Sequence, residues 1–334
     1  MKRTVILVLG VSAGVLLLIL LGSILQIGDK LGEAAPALEY GFYALVAALF
    51  IAFVAVPVLK VALAPEMPPL SVGEGLDASA LSKLGTRLTQ SCGYIQDSEE
   101  MRLHSEALSE SLAAAGTDVG MLSDVLNTEI DFRLSGDSDG GVKGIDRKIR
   151  EWAGNVFLVT ALSRNGKLDS LAMMVLNYKM IEDVVLSSGF RPTRPQMLKL
   201  YARVVITSAF SYLASEAIGD LSENINMAAL EMEGAEETGG KFLSGLRKSR
   251  IGGVVLGSAL DGALNALMTL RTGYVTRSYI LQGAQALRDD SSRREVRRSA
   301  VRASYRNIGA VIASSASVIG KGAASRLMNL FSRE

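Results

Sequence analysis

The chain holds one histidine, His104, and one cysteine, Cys92. Imidazole and thiolate are common choices for a general base, a nucleophile or a transition-metal ligand. No second histidine or cysteine accompanies them, and zinc-type centres need three or four such ligands. Both are therefore expected to be packing or surface residues, His104 on a polar helix and Cys92 as a small thiol. Asp137-Ser-Asp139-Gly140 opens like a calcium loop, but Gly141 takes the fifth position, where an acid is needed, and Lys148 stands at the twelfth. Gly166-Lys167 is followed by Leu168, and Gly320-Lys321 by Gly322, so neither completes the phosphate-cradling GxxxxGK[ST] loop. Neither HExxH nor CxxC occurs. The residues thus lead to no catalytic site, no cofactor and no metal, and the chain is expected not to be an enzyme.

Charge narrows the partners. Lys and Arg number 35 against 34 Asp and Glu, a net charge of +1 in 334 residues. A protein that neutralises nucleic-acid phosphates is usually strongly basic, so no nucleic-acid partner is expected for the chain as a whole.

The apolar residues are distributed more tellingly. Thr4 to Ile27 is 24 residues without a charge, and Tyr40 to Leu59 is another 20. About 20 apolar residues at 1.5 Å each cross a hydrocarbon core of about 30 Å. Two spans are expected, with Tyr40, Phe42 and Tyr43 at the interface level. Lys2 and Arg3 precede the first span and Lys60 follows the second, while the short loop carries Asp29, Lys30, Glu33 and Glu39. The positive-inside rule then places both termini in the cytoplasm, as a multi-pass membrane protein. A cleaved signal peptide is the rival, but the first run is too long and no small-residue site closes it.

Beyond the spans the pattern is helical, and the fold is expected to be all-α: a two-helix transmembrane hairpin (1–64), a helical spacer with a Gly/Asp-rich linker (65–144), a helical domain (145–284) and a basic helical tail (285–334). Asp97 to Ala115 puts Met101, Leu108 and Leu112 near one face. Asp169 to Leu186 repeats Leu171, Met174, Tyr178, Ile181 and Val185 at helical spacing, and Ser187-Ser-Gly189 ends it. Thr193 and Gln196 stand at capping-box spacing around Pro195. Met197 to Ile218 is apolar on most faces and is expected to be buried.

Glu216 to Glu237 has seven acids and no base, and Lys241 to Arg250 four bases and no acid. Ile251 to Leu270 is 20 residues with one charge, Asp261; Gly253, Gly257 and Gly262 allow close helix approach, and a tightly packed interior helix is expected, with a third membrane span as the alternative that the mid-span Asp261 and Asn265 make costly. The tail from Gln285 has ten bases and four acids. Arg294, Arg297, Arg298 and Arg302 can share one helical stripe and are candidate contacts to an anionic leaflet.

Three motifs in order, Thr160-Ala-Leu-Ser163 with Leu168-Asp169-Ser-Leu171 through Asn177, Gly189-Phe-Arg191-Pro192, and Asn265-Ala-Leu-Met-Thr269-Leu-Arg271-Thr-Gly273, resemble the YcjF-like family of bacterial inner-membrane proteins, a group of unknown function. They cover roughly residues 146 to 279. The family carries Gly-Gly before its Arg-Pro where this chain has Gly189-Phe190. The resemblance implies an inner-membrane location and companionship with P-loop GTPases, and singles out Asp169, Asn177, Arg191, Pro192, Asn265, Thr269, Arg271 and Gly273. Core polar pairing, for example Asp169 with Arg271, and direct partner contact both remain open for these residues. Two functions follow as expectations: a membrane-side adaptor or regulator of a P-loop GTPase, or a self-associating protein, a homo-oligomer, that binds, bends or permeates the bilayer.

Overall fold

The computed structural model describes residues 14, 18, 21–66, 78–92, 94–95, 97–136, 143–162, 166–217, 253–287 and 289–331. They are helical almost throughout, and their only bridges are Glu66 with Arg191 and Gly136 with Lys143. The all-α expectation holds for them. The first expected span, Thr4–Ile27, falls mostly outside the described residues. From residue 21 to 34 the chain is helical (α1), which carries the helix past the expected end at Ile27.

Helix α2, Pro36–Leu63, is the one helix among the described residues that is long and apolar enough to cross a membrane. Two described membrane spans are therefore not found. Ala35, with φ −164° and ψ 132°, turns the chain between α1 and α2, and Pro36 starts α2 where its missing N–H costs nothing. The return is tight. Tyr43 Oη donates to the Leu25 carbonyl at 3.5 Å, and a side chain on Gly28 would run into the Tyr43 ring. Inside α2 a π-helical stretch, Ile51–Ala55, precedes Pro57. Leu45, Leu49 and Phe50 are exposed, whereas Pro57 and Val61 are buried. Twenty of its 28 residues reach about 30 Å, so the last two turns are free to belong to the helical body.

Three short helices form the spacer: α3 (Ala78–Thr89), α4 (Ser98–Ala115) and α5 (Val119–Ser135). Asp97 caps α4 by accepting from the amides of Glu99 and Glu100, and Asp118 caps α5 through Met121 N–H. Leu81, Leu84, Leu88, Leu108, Leu122 and Leu126 fill the space between them.

The body is a bundle of α6 (Ile145–Leu162), α7 (Gly166–Ser188), α8 (Arg194–Ala217), α9 (Gly253–Gln282) and α10 (Asp290–Phe331). Helix α9 is central and packs on the other four. Its small residues permit this. A Cβ at Gly262 would come 2.9 Å from Ala161 Cβ, and one at Gly273 would come 2.6 Å from Ile149 Cγ2. The expected close approach at Gly262 is therefore present, while Gly253 and Gly257 have side-chain positions outside the description. The α7–α8 corner uses Gly189 at φ +80°, and the Thr193 amide donates to Gln196 Oε1 at 2.9 Å, as the capping-box spacing leads one to expect. Asp183 binds α6 to α7, accepting from Lys148 Nζ at 2.8 Å and Trp152 Nε1 at 3.0 Å.

Candidate functional site

Two polar constellations meet at the C-terminal end of α7. The first is a clasp around Arg191. Its amide donates to the Pro65 carbonyl at 2.8 Å, its Nε to the Ala64 carbonyl at 3.0 Å, and its guanidinium pairs with Glu66 at 3.0 Å. A second NH1 bond, to the Pro192 carbonyl at 3.0 Å, holds the side chain against its own turn. Lys60 adds an ion pair to Glu182 at 3.0 Å, with Glu182 almost fully buried. The residues that leave α2 are thus fastened directly onto the bundle. Pro192 follows; its ring disfavours the helical region at Arg191 and it has no N–H to donate, and helix begins again at Arg194.

The second constellation joins the spacer to the same corner. Glu129, 4% exposed, accepts from Tyr94 Oη at 3.2 Å, from His104 Nε2 at 2.8 Å and from Arg133 Nε at 2.6 Å. Arg133 is equally buried. It also donates to Ser91 Oγ at 2.9 Å, to the Leu88 carbonyl at 2.8 Å and, across to α7, to the Ser188 carbonyl at 3.0 Å. Its guanidinium carbon lies 4.8 Å from the Tyr94 ring centre, and His104 stacks on Phe132 at 5.0 Å. Burial alone would raise the Glu129 carboxyl, but the His104 hydrogen bond and the Arg133 charge outweigh it and hold the group below the ordinary glutamate range. Cys92 is pushed up, by burial first and by Glu129, despite the nearby Arg133. Tyr94 is raised strongly by burial and by Glu129, so its hydroxyl remains a donor.

Cys92 Sγ, His104 Nε2 and a Glu129 oxygen all lie within 4.8 Å of one another, a separation that a metal ion could bridge. The surroundings fit poorly. Arg133 places a buried cation 2.6 Å from the carboxylate and 4.0 Å from the sulfur, and Glu129 already accepts three hydrogen bonds. A dication here would face that guanidinium at close range in a medium of low dielectric. The arrangement is a hydrogen-bonded ion-pair clasp. His104 and Cys92 do pack, as expected. Their convergence on Glu129 and Arg133 was not foreseen; the only local sign is the i,i+4 spacing of those two residues.

The remaining motif residues lie mostly inside the bundle. Asn177 is fully buried and donates through Nδ2 to the Met173 carbonyl at 2.7 Å and to Thr269 Oγ1 at 3.2 Å, joining α7 to α9. Thr269 and Asn265 are buried in α9, Gly273 lies where α9 meets α6 and α7, and Arg271 is half-buried. The side chain of Asp169 falls outside the described residues, and so does the suggested Asp169–Arg271 pair. Arg294, Arg297, Arg298 and Arg302 are all exposed on the first turns of α10. Asp137–Gly140 also lies outside the description. Gly136-Asp-Ser138-Asp-Gly140 matches nucleophile-elbow spacing as well, but it follows helix α5 rather than the strand that such an elbow requires.

Residues 143–305 match the model of a family described as a domain of unknown function, DUF697. The match takes in α6, α7, α8, α9 and the first turns of α10, and so it contains most of the bundle, Arg191 and the arginine stripe. No curated protein and no solved structure matches the chain.

Proposed function

We propose that this is a membrane-anchored, non-enzymatic helical protein that acts as the membrane-side adaptor or regulator of a P-loop GTPase. The observation that carries the reading is the Arg191 clasp. An anchor that served only as a tether would need no fastening, yet α2 leaves its apolar run and is bound at once to the α7–α8 corner of the DUF697 bundle. Such a joint fixes how the bundle is presented at a bilayer. The GTPase as partner comes from the YcjF-like motif resemblance. So do the bacterial inner membrane as location and, with the flanking charges, the two-span topology with both termini cytoplasmic.

The contact surface we favour is the start of α10. Arg298, Arg302 and Arg306 are exposed at i,i+4 spacing and make no ion pair among the described residues. Tyr274 Oη accepts from Asn307 Nδ2, and α10 begins at the end of the bundle that also holds Arg277 and Asp146. That end lies away from the apolar run of α2, which suits an acidic protein surface better than a leaflet.

In-cell crosslinking of the full-length protein, followed by purification in mild detergent and mass spectrometry, tests the reading. It expects a P-loop GTPase linked to residues 143–306. Links between copies of this chain alone would overturn it and favour the self-associating, membrane-active alternative.

A further inference from the structure

The five bundle helices change character at one common level. Helix α6 carries Asp146, Arg147, Lys148, Arg150 and Glu151 and then no charge from Trp152 to Leu162. Helix α10 carries eight charged residues from Asp290 to Arg306 and none from Asn307 to Gly320. Helix α8 has Arg194, Lys199 and Arg203 below and only Glu216 above. Helix α7 has Lys179, Glu182 and Asp183 below, with Lys167 and Asp169 above; helix α9 has Arg271 and Arg277 below and only Asp261 above.

Contacts between the helices tie these boundaries together. Gly273 meets Ile149 and Met180, the rings of Tyr178 and Tyr201 are 5.3 Å apart, and Tyr274 meets Asn307 at 2.9 Å. Tyr178 and Tyr274 are buried in the core near this level, with Trp152, Tyr201 and Tyr305 half-buried against it.

Helix α2 runs parallel to α7, because Lys60 meets Glu182 and Pro65 meets Arg191, and Ile51–Ala55 still touches α7. The half of the bundle with few charges is therefore level with the apolar run of α2. From Tyr178 to Gly166, α7 rises about 18 Å above the boundary, more than half of a hydrocarbon core of about 30 Å. A π-helical stretch bends a helix by tens of degrees, not by a right angle, so the bend at Ile51–Ala55 does not remove this overlap.

The side chains sort as they do in lipid. Thr160, Ser170, Asn177, Ser208, Asn265 and Thr269 are buried inside the upper half, while Val159 and Leu171 are 42% and 40% exposed. Asn155 and Ser314 are its exposed polar residues with described side chains, and both line one groove between α6 and α10.

We infer that the upper half of the DUF697 bundle is itself embedded in the bilayer beside α2, with acyl chains as the occupant of its apolar outer surface. This rests on the reading that α2 crosses the membrane. The domain is then an integral membrane bundle with a charged cytoplasmic end, not a soluble body on a hairpin.

Spin labels at positions 49, 159, 171 and 298, one at a time in full-length Cys92→Ser protein, test this in proteoliposomes of phosphatidylethanolamine and phosphatidylglycerol. Accessibility to oxygen is compared with that to a water-soluble nickel complex. Oxygen should dominate several-fold at 49, 159 and 171, and nickel at 298. Nickel dominance at 159 and 171 with oxygen dominance at 49 overturns the inference and leaves the membrane span standing; nickel dominance at 49 overturns both. Shielding of 159 and 171 from both reagents points to a second copy and also overturns it. Unlabelled wild-type protein gives an independent reading, because Trp152 is the only tryptophan. Lipids brominated high on the acyl chain should quench it more than lipids brominated near the chain end; absence of quenching by either counts against the inference.

Discussion

Arg191 donates its Nε–H to the carbonyl oxygen of Ala64, 127 residues earlier in the chain, at 3.0 Å. That bond, with the Pro65 carbonyl and the Glu66 carboxylate, fastens the end of α2 to the α7–α8 corner. Arg191→Ala keeps the backbone bond to Pro65 but leaves the Ala64 and Pro192 carbonyls and the Glu66 carboxylate to water, removing charge-assisted bonds that each contribute about 1.5–3 kcal/mol. A fall of about 2 kcal/mol in stability is expected by thermal unfolding in detergent. Arg191→Lys should rescue little, since one ammonium cannot meet Ala64, Pro192 and Glu66 in the same geometry.

Gly273 and Gly309 are both helical glycines with opposite surroundings. A methyl group at 273 meets Ile149 Cγ2 at 2.6 Å, whereas one at 309 meets nothing within 4 Å. Gly273→Ala should destabilise by about 1–3 kcal/mol through overpacking. Gly309→Ala should stabilise by up to about 1 kcal/mol through helix propensity. Parallel thermal melts of the two variants check the contrast.

Arg133 and Glu129 form a buried pair at 2.6 Å. Arg133→Met strands the carboxylate and is expected to cost about 3–5 kcal/mol. The double change Arg133→Met with Glu129→Leu should recover much of that loss, as seen by chemical denaturation.

The same pair sets an acid limit. Glu129 is held below its ordinary value in the folded chain, so it binds its proton more readily when unfolded. Its stabilisation is present in full above the unfolded value, about 4.3, and is lost as pH falls through the lower folded value. Melting temperature should drop over that acid range, and Glu129→Gln should show lower stability at neutral pH with a shallower acid decline.

Much of the helical outline is legible in the residues. Asp97 before α4, the Thr193–Gln196 cap and the Leu171-to-Val185 periodicity each report a local preference, and each is found. The clasps are not legible. Arg191 reads as an arginine before a proline, and its partners are backbone carbonyls of a distant segment that carry no side-chain signature. His104, Cys92 and Glu129 are brought together only when α3, α4 and α5 pack. The level at which charge stops is visible helix by helix, but it becomes one plane only once the contacts of Gly273, Tyr178 and Asn307 align the helices.

The adaptor account is tested most directly at the arginine face. Arg298→Glu with Arg302→Glu alters exposed residues only, so the melting temperature should stay near that of the parent. Binding of the crosslinked P-loop GTPase to full-length protein in nanodiscs, measured for parent and double variant at matched salt, is the decisive comparison. The account predicts a loss of at least about tenfold, equivalent to about 1.4 kcal/mol, in the variant. Equal affinity for both would contradict it.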